Sequence, residues 1–480
     1  MKNNSLNRRN FIQKSSLLSA GFSLGAVPEY KNSKTGNPSN EINGNEYKED
    51  PASISFGIFQ SDITPSPKIL NWVTGRQYSA VEDPINVRVL ALNDHSQQVL
   101  IISMELVYVG ESITKLIKDK IQDKFGIPHN NILITATHNH SAPFSPVYFE
   151  ELRRVERDLS WGSLDKLSHQ EELPEYIQWK SDLITKTLYT ASEAIRSLKP
   201  CKIHIGKSDI SELVHNRRPR PVSIKYEKAK TPENFYYKHP DWDPLVISGN
   251  MDFGPVDRVM SVLFFEKTDS SGISTLFNLS AHPVSIYPYS DGLSGDWPGK
   301  TVRLFKDEFG GESFFVQGTT GDINPWKRGE KAVNVMANKL LNLAKRSFKH
   351  SAEILLQPLQ CESAFVGLPL TEYGIERSGL KSMEVEVQVI TLGSIAIVAL
   401  PGEPMTDIGL AIKKASPFPH TLVLGYSNGV GTQYVGRPGE KAYGGYEVSE
   451  KRNLGLDNAG LILADLAKEL LDKMYKPIEG

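Results

Sequence analysis

Residues 99–109 (VLIISMELVYV) form a nearly continuous apolar run. A strand covered on both faces reads that way, whereas a half-exposed strand alternates. Directly after it, Ile113, Leu116, Ile117, Ile121 and Phe125 recur at helical spacing. Gly126-Ile127-Pro128 then closes the helix this predicts over Glu111–Phe125. Residues 131–137 (NILITAT) are a second apolar strand. Strand, helix and strand in that order form a βαβ unit, which requires some parallel pairing. The chain is therefore expected to be α/β, with mixed β-sheets flanked by helices.

The same reading places strands at 259–265, 274–279, 313–315, 385–392, 395–400 and 422–424, and helices at 174–198, 300–309, 331–344 and 455–474. Residues 231–257 are polar, aromatic and Pro-rich, the pattern of a surface insertion. No internal repeat or linker interrupts the chain after residue 53, so 53–480 is expected to be one large domain. At 39% hydrophobic and 23% charged residues, the chain can bury a core, which excludes a mainly disordered protein. Its 54 Lys and Arg against 56 Asp and Glu, without a basic block, give no electrostatic reason for a nucleic-acid partner. The only two cysteines, Cys201 and Cys361, exclude a disulfide scaffold and leave one bridge open. No internal stretch reaches the roughly 18–20 apolar residues of a membrane span.

The N-terminus carries Arg8-Arg9-Asn10-Phe11 ahead of a short run, 15–27, containing Leu, Gly and Ala. It resembles a bacterial twin-arginine export signal, here assigned to residues 1–27, and implies a periplasmic or secreted protein. Residues 28–52 have almost no apolar side chains and read as a disordered linker.

The candidate chemistry begins at Thr137-His138-Asn139-His140-Ser141-Ala142-Pro143. An extended chain has a side-chain period of two, which would point His138 and His140 to one side at the end of a buried strand. They are expected either to share a metal, or to divide metal binding and substrate chemistry between them. His282, in Asn278-Leu279-Ser280-Ala281-His282-Pro283, and Glu403, in Leu400-Pro401-Gly402-Glu403-Pro404, also follow apolar strands. Taken singly, His282 reads as a core histidine and Glu403 as a turn residue. Three strands ending on such donors favour a zinc site with a position open for water.

These segments, with His215-Asn216-Arg217-Arg218-Pro219, Gly318-Thr319-Thr320-Gly321-Asp322-Ile323-Asn324-Pro325 and the tyrosine-rich 433–447, resemble in order the neutral/alkaline, non-lysosomal ceramidases. The resemblance runs from about residue 53 to the C-terminus, as in a short bacterial member. It implies an α/β zinc hydrolase cleaving an amide bond, in ceramide between fatty acid and sphingosine. By the same resemblance His138, His282, Glu403 and Tyr434 are Zn2+ ligands, His140 and Tyr446 act on the substrate, and Arg217 lines its site. A lipid or small-molecule N-acyl substrate is implied as the partner. Two departures bear on the substrate. Asp322-Ile323-Asn324-Pro325 lacks the serine those enzymes carry there, and Pro143-Phe144-Ser145 replaces their glycines. The chain ends at Gly480, where longer relatives continue into an immunoglobulin-like domain.

Gly425-Tyr426-Ser427-Asn428-Gly429 also matches G-x-S-x-G, the elbow of serine hydrolases. Two features oppose that reading. The segment after Ser427 is too rich in Gly and Pro for the required helix, and no histidine follows His420. Other expectations set beside the zinc amidase are a zinc-dependent esterase, an amidase on a non-lipid substrate and a non-catalytic binding protein.

Overall fold

The computed structural model describes residues 54–476, apart from 153–155, 157–166, 168, 222–250, 270–271 and 357. The export signal, the linker and most of the 231–257 insertion lie outside the described residues. The strands of the larger sheet are β1 (Ile54–Asp62), β2 (Asn86–Asn93), β3 (Gln98–Met104), β4 (Ile132–Ala136), β5 (Lys199–Asp209), β6 (Val259–Lys267), β7 (Ile273–Leu279) and β8 (Gly310–Gln317). They run in the order β8-β7-β6-β5-β1-β2-β3-β4, and the short Ala352–Glu353 strand adds to β5. A second sheet, β9-β10-β11-β12, is built from Gln360–Pro369, Ser382–Leu392, Ile395–Ala399 and His420–Leu424. Both sheets are mixed: β3 with β4, β7 with β8 and β11 with β12 are parallel, and the other ladders of these sheets are antiparallel. The α-helices are α1 (Glu111–Phe125), α2 (Pro174–Arg196), α3 (Asp296–Phe309), α4 (Glu330–Lys349), α5 (Glu372–Ser378), α6 (Thr406–Ala415) and α7 (Ala459–Met474), and short two- and three-residue strands pair outside the two sheets.

The apolar pattern explains the layering. Leu100, Ile102, Ile132 and Ile134 pack under α1 and α2, while Val99, Ile101 and Leu133 face the second sheet, against Ile390, Ile395 and Leu422. α3 and α4 cover the β6–β8 half through Phe264, Phe277, Phe305 and Leu340. α6 and α7 close the outer face of the second sheet through Ile408, Leu463 and Leu471. The result is helices, sheet, sheet and helices, with β3 and β4 apolar on both faces because both are covered.

The βαβ reading holds, and α1 spans Glu111–Phe125, closed by Gly126 at φ 70°. The strand expected over 99–109 stops at Met104. Beyond it, Glu105 turns inward to pair with the buried Arg88 at 2.6 Å, and Val107 offers its carbonyl to His138. The helix expected from residue 455 begins at Ala459. Cys201 and Cys361 are both free thiols, so the bridge left open by the sequence is not formed.

Sheet twist decides where the site falls. Seven successive rotations of roughly 20–25° accumulate to roughly 140–175°, so the formally opposed edge strands β4 and β8 swing toward a common direction. Their C-terminal ends meet: Gln317 Nε2 donates to Thr137 O at 3.0 Å and to Ala281 O at 2.9 Å. His138 and His282 leave the sheet at that junction.

Candidate metal centre

His138 follows β4 after one residue and sits at φ 62°, a left-handed conformation that costs a non-glycine side chain energy. The period-two argument for the His-x-His pair therefore does not apply locally, since the chain has left the extended region. The two rings nonetheless meet, with Nε2 atoms 3.1 Å apart. His282 comes in from β7, its Nε2 3.2 Å from that of His138. Glu403 opens a two-residue strand, Glu403–Pro404, just past β11, and places Oε2 3.1 Å from His138 Nε2 and 3.6 Å from His282 Nε2. All four side chains are buried.

What lies behind these donors orients their rings. His138 Nδ1 is 2.9 Å from the Val107 carbonyl, and His282 Nδ1 is 3.1 Å from the Ile323 carbonyl. A carbonyl only accepts, so each Nδ1 carries a hydrogen, which orients each ring with Nε2 turned inward. Burial, and then the Arg217 charge, lower the His282 pKa to about 3. Burial, followed by the neighbouring His138 and His282, holds His140 well below the usual histidine value. Burial alone would raise Glu403, but His138 and His282 outweigh it and keep the carboxyl well below its ordinary value. Imidazole nitrogens and a carboxylate thus converge, a set of donor types that suits a cation. A tetrahedral zinc shell has donor–donor edges of roughly 3.3 Å, from Zn–N distances of about 2.0–2.1 Å. The observed 3.1–3.6 Å separations fit that size. His138, His140 and His282 form the group of three potential ligand residues found among the described residues.

The parallel Glu403↔Tyr434 pairing sets the buried Tyr434 beside Glu403. Its hydroxyl accepts from Arg217 Nη2 at 3.0 Å, and burial raises the phenol well above its usual pKa. Arg217 is itself buried. Its three nitrogens donate to Glu447 Oε1 at 2.6 Å, Asn324 Oδ1 at 3.1 Å, Gly321 O at 2.9 Å and Tyr434 Oη. Asp322 accepts from Thr406 N and Asn216 Nδ2, so the loop that lacks the serine is still tied down by its own acid. Tyr446 is half-buried, its ring 5.9 Å from that of Tyr434 and 5.1 Å from the Arg452 guanidinium carbon.

Sequence reasoning missed two tyrosines and a tryptophan. The Tyr108 hydroxyl bonds Glu403 Oε1, and Tyr426 stacks on His138 at 4.1 Å with its hydroxyl 3.4 Å from Glu403 Oε2. Trp72 packs its ring 5.3 Å from that of His140. Tyr108 is the one aromatic residue in the apolar run 99–109, the signal that could have drawn attention to it. Ser427 is buried, with Oγ donating to Gly425 O, and no α-helix begins between it and Ala459. That is not the geometry of a nucleophile elbow.

The arrangement is therefore a buried imidazole–carboxylate centre at the strand ends of a mixed α/β fold. Solved structures with a similar fold are ceramidases. The neutral ceramidase from Pseudomonas aeruginosa matches with a TM-score of 0.65 and 14% identity, over 90% of this chain and 76% of that one. A ceramidase complexed with C2 matches with the same TM-score and identity, over 89% and 77%. No family model matches the sequence.

Proposed function

We propose that the chain is an exported zinc-dependent hydrolase that cleaves the amide bond of a lipid or small-molecule N-acyl substrate, as a ceramidase does. The observation that carries this reading is the convergence of two Nδ1-tied imidazoles and a carboxylate within 3.1–3.6 Å of one another. The similar fold of solved ceramidases supports it. His138, His282 and Glu403 would hold the ion, with Tyr434 as a further donor. When bound, zinc supplies a Lewis acid that polarises a carbonyl and lowers the pKa of water from about 15.7 toward about 7.

The chain's own groups do the rest. Tyr108 and Tyr426 orient the Glu403 carboxylate, and Arg217 holds the Tyr434 hydroxyl. His140 takes the proton of the attacking water at Nε2 and returns it to the leaving nitrogen as the C–N bond breaks. Tyr446 donates a hydrogen bond to the developing oxyanion. The half-buried rings of Trp72, Phe144 and Tyr287 around His140 offer the acyl group an apolar wall. No helix among the described residues is long and apolar enough to cross a membrane. Residues 1–27 direct twin-arginine export to the periplasm or medium, 28–52 are a linker and 53–480 the catalytic domain. N-terminal sequencing of the exported protein checks that division.

Liquid chromatography of zinc-loaded and chelated protein against N-acyl lipids, N-acyl amino acids and simple esters tests the function. Zinc-dependent release of free acid from an N-acyl substrate is expected. Turnover confined to esters would assign the same centre to an esterase, and activity that survives chelation would overturn the reading.

A further inference from the structure

Residues 425–433 join β12 to the Tyr434–Val435 strand and carry much of the site with them. Tyr426 stacks on His138, the Gln433 carbonyl accepts from Glu403 N at 2.8 Å, and Tyr434 follows at once. The backbone of this loop is costly. Tyr426, Asn428 and Gln433 sit at φ 54°, 57° and 61°, and Gly429 and Gly431 at 151° and 52°. Non-glycine residues persist in that region only where their surroundings hold them.

The middle of the loop is held by a side chain from the other end of the site. Glu111, first residue of α1, accepts from Val430 N at 3.0 Å and Gly431 N at 3.2 Å, both through Oε1. Successive amides turned to one point form an anion cradle, and the anion seated here is this carboxylate. Gly429 makes room for it, because a Cβ there would stand 2.7 Å from Glu111 Oε1. Glu111 closely follows Val107 and Tyr108, which hold His138 and Glu403, so one short segment touches two donors and the loop beside them. No cation pairs with Glu111 among the described residues, and its Oε2 is buried without a hydrogen-bond partner. Burial raises its carboxyl to about 7. A buried carboxylate without a counter-charge costs stability, and the return visible in the structure is the shape of this loop.

We propose that Glu111 is a positioning residue of the metal centre: seated on the Val430 and Gly431 amides, it holds the loop that aims Tyr426 and Tyr434 at Glu403. The effect on turnover rests on the hydrolase reading above; the effect on the loop does not.

Hydrogen exchange read by mass spectrometry on the full chain, with zinc content and kinetics on the same preparations, tests this. In Glu111→Ala the peptide spanning 425–435 should exchange roughly 10- to 100-fold faster, as expected when two hydrogen bonds to the loop amides are lost together. Exchange elsewhere should be unchanged and zinc retained. Turnover should fall roughly 10- to 100-fold in kcat with KM little altered, the effect of misplacing a group by about an ångström. Glu111→Gln keeps an acceptor oxygen at the same reach and should restore loop protection and most of kcat. Glu111→Asp keeps the charge but withdraws the carboxylate by one methylene, and should behave like Ala. Wild-type exchange in the Ala and Asp variants, or acceleration spread evenly over the protein, overturns the proposal. A wild-type protein without hydrolase activity sinks the reading of the function alone, because the exchange pattern still decides the role of Glu111.

Discussion

Removing the metal should lower the unfolding midpoint by about 4–5 °C, and adding zinc back should restore it. The donors are preformed, with His138 and His282 held through Nδ1 and Glu403 through Tyr108, so binding need not reorganise the fold. Free zinc about a thousandfold above its dissociation constant then stabilises the folded state by about 4.1 kcal/mol. The domain spans roughly 420 residues, from 54 to 476, and at about 2.1 cal/mol/K per residue its unfolding entropy is about 0.9 kcal/mol/K. The quotient is the predicted shift. Differential scanning calorimetry of chelated and zinc-replete samples, with metal content by mass spectrometry, measures it. His138→Ala and His282→Ala should abolish both the shift and the bound metal, because each removes one of a few ligands. Identical midpoints with and without zinc, and no stoichiometric metal in the wild type, would falsify the reading of this cluster as a metal centre.

Ser427→Ala should keep most of the activity, since its hydroxyl is spent on Gly425 O; covalent labelling of Ser427 by a fluorophosphonate, with loss of turnover, would return the serine-hydrolase reading. Asp296 supplies a pH dependence. Burial first, with the Asp83 charge adding to it, lifts its carboxyl from the ordinary 3.8 to about 6. The unfolded chain therefore releases this proton at lower pH than the folded protein, so stability falls as pH rises from about 4 to about 6 and is level beyond. The loss is about 3 kcal/mol, from roughly two pKa units at about 1.36 kcal/mol each. Asp296→Asn should remove that part of the slope in a midpoint-against-pH series; an unchanged slope would show that Asp296 ionises normally.

Legibility in the sequence followed how completely each element is buried. β3 and β4 were visible because both faces pack apolar side chains, and α1 because its buried stripe keeps helical spacing. β2 was missed: its run is interrupted by Arg88, which is buried in an ion pair with Glu105, the residue just past the end of the next strand. β9 was missed because it is an edge strand with Phe365 65% exposed, so little of it reads as apolar. The donors were legible in the same way, as polar residues directly after apolar strands. Tyr108 and Tyr426 were not, because their meaning lies in reaching Glu403. For Tyr108 that partner is 295 residues away, and no local pattern encodes the contact. The histidine pair was found for an incomplete reason, since the left-handed turn at His138, rather than an extended chain, brings the rings together.

That turn leaves the division of labour between the two histidines as the sharpest question. His140 Nε2 is 3.1 Å from His138 Nε2, the same separation as Glu403 Oε2, so distance alone would admit it as a ligand. Their surroundings differ. His138 and His282 are tied through Nδ1 to backbone carbonyls, the support that ligating histidines require. The His140 ring packs against Trp72 and Tyr287, both half-buried. A group placed so suits proton transfer. His140→Ala should therefore keep zinc near wild-type occupancy while kcat falls by roughly 10²–10⁴ and KM changes little. His140→Asn should lose as much, because an amide fills the space without carrying the proton. A change confined to KM would make His140 a binding contact, and near-normal turnover in the Asn variant would make it a support for its loop. Zinc content and kcat measured on one preparation decide the matter: if the metal leaves with His140, ligand and catalyst have been assigned to the wrong residues.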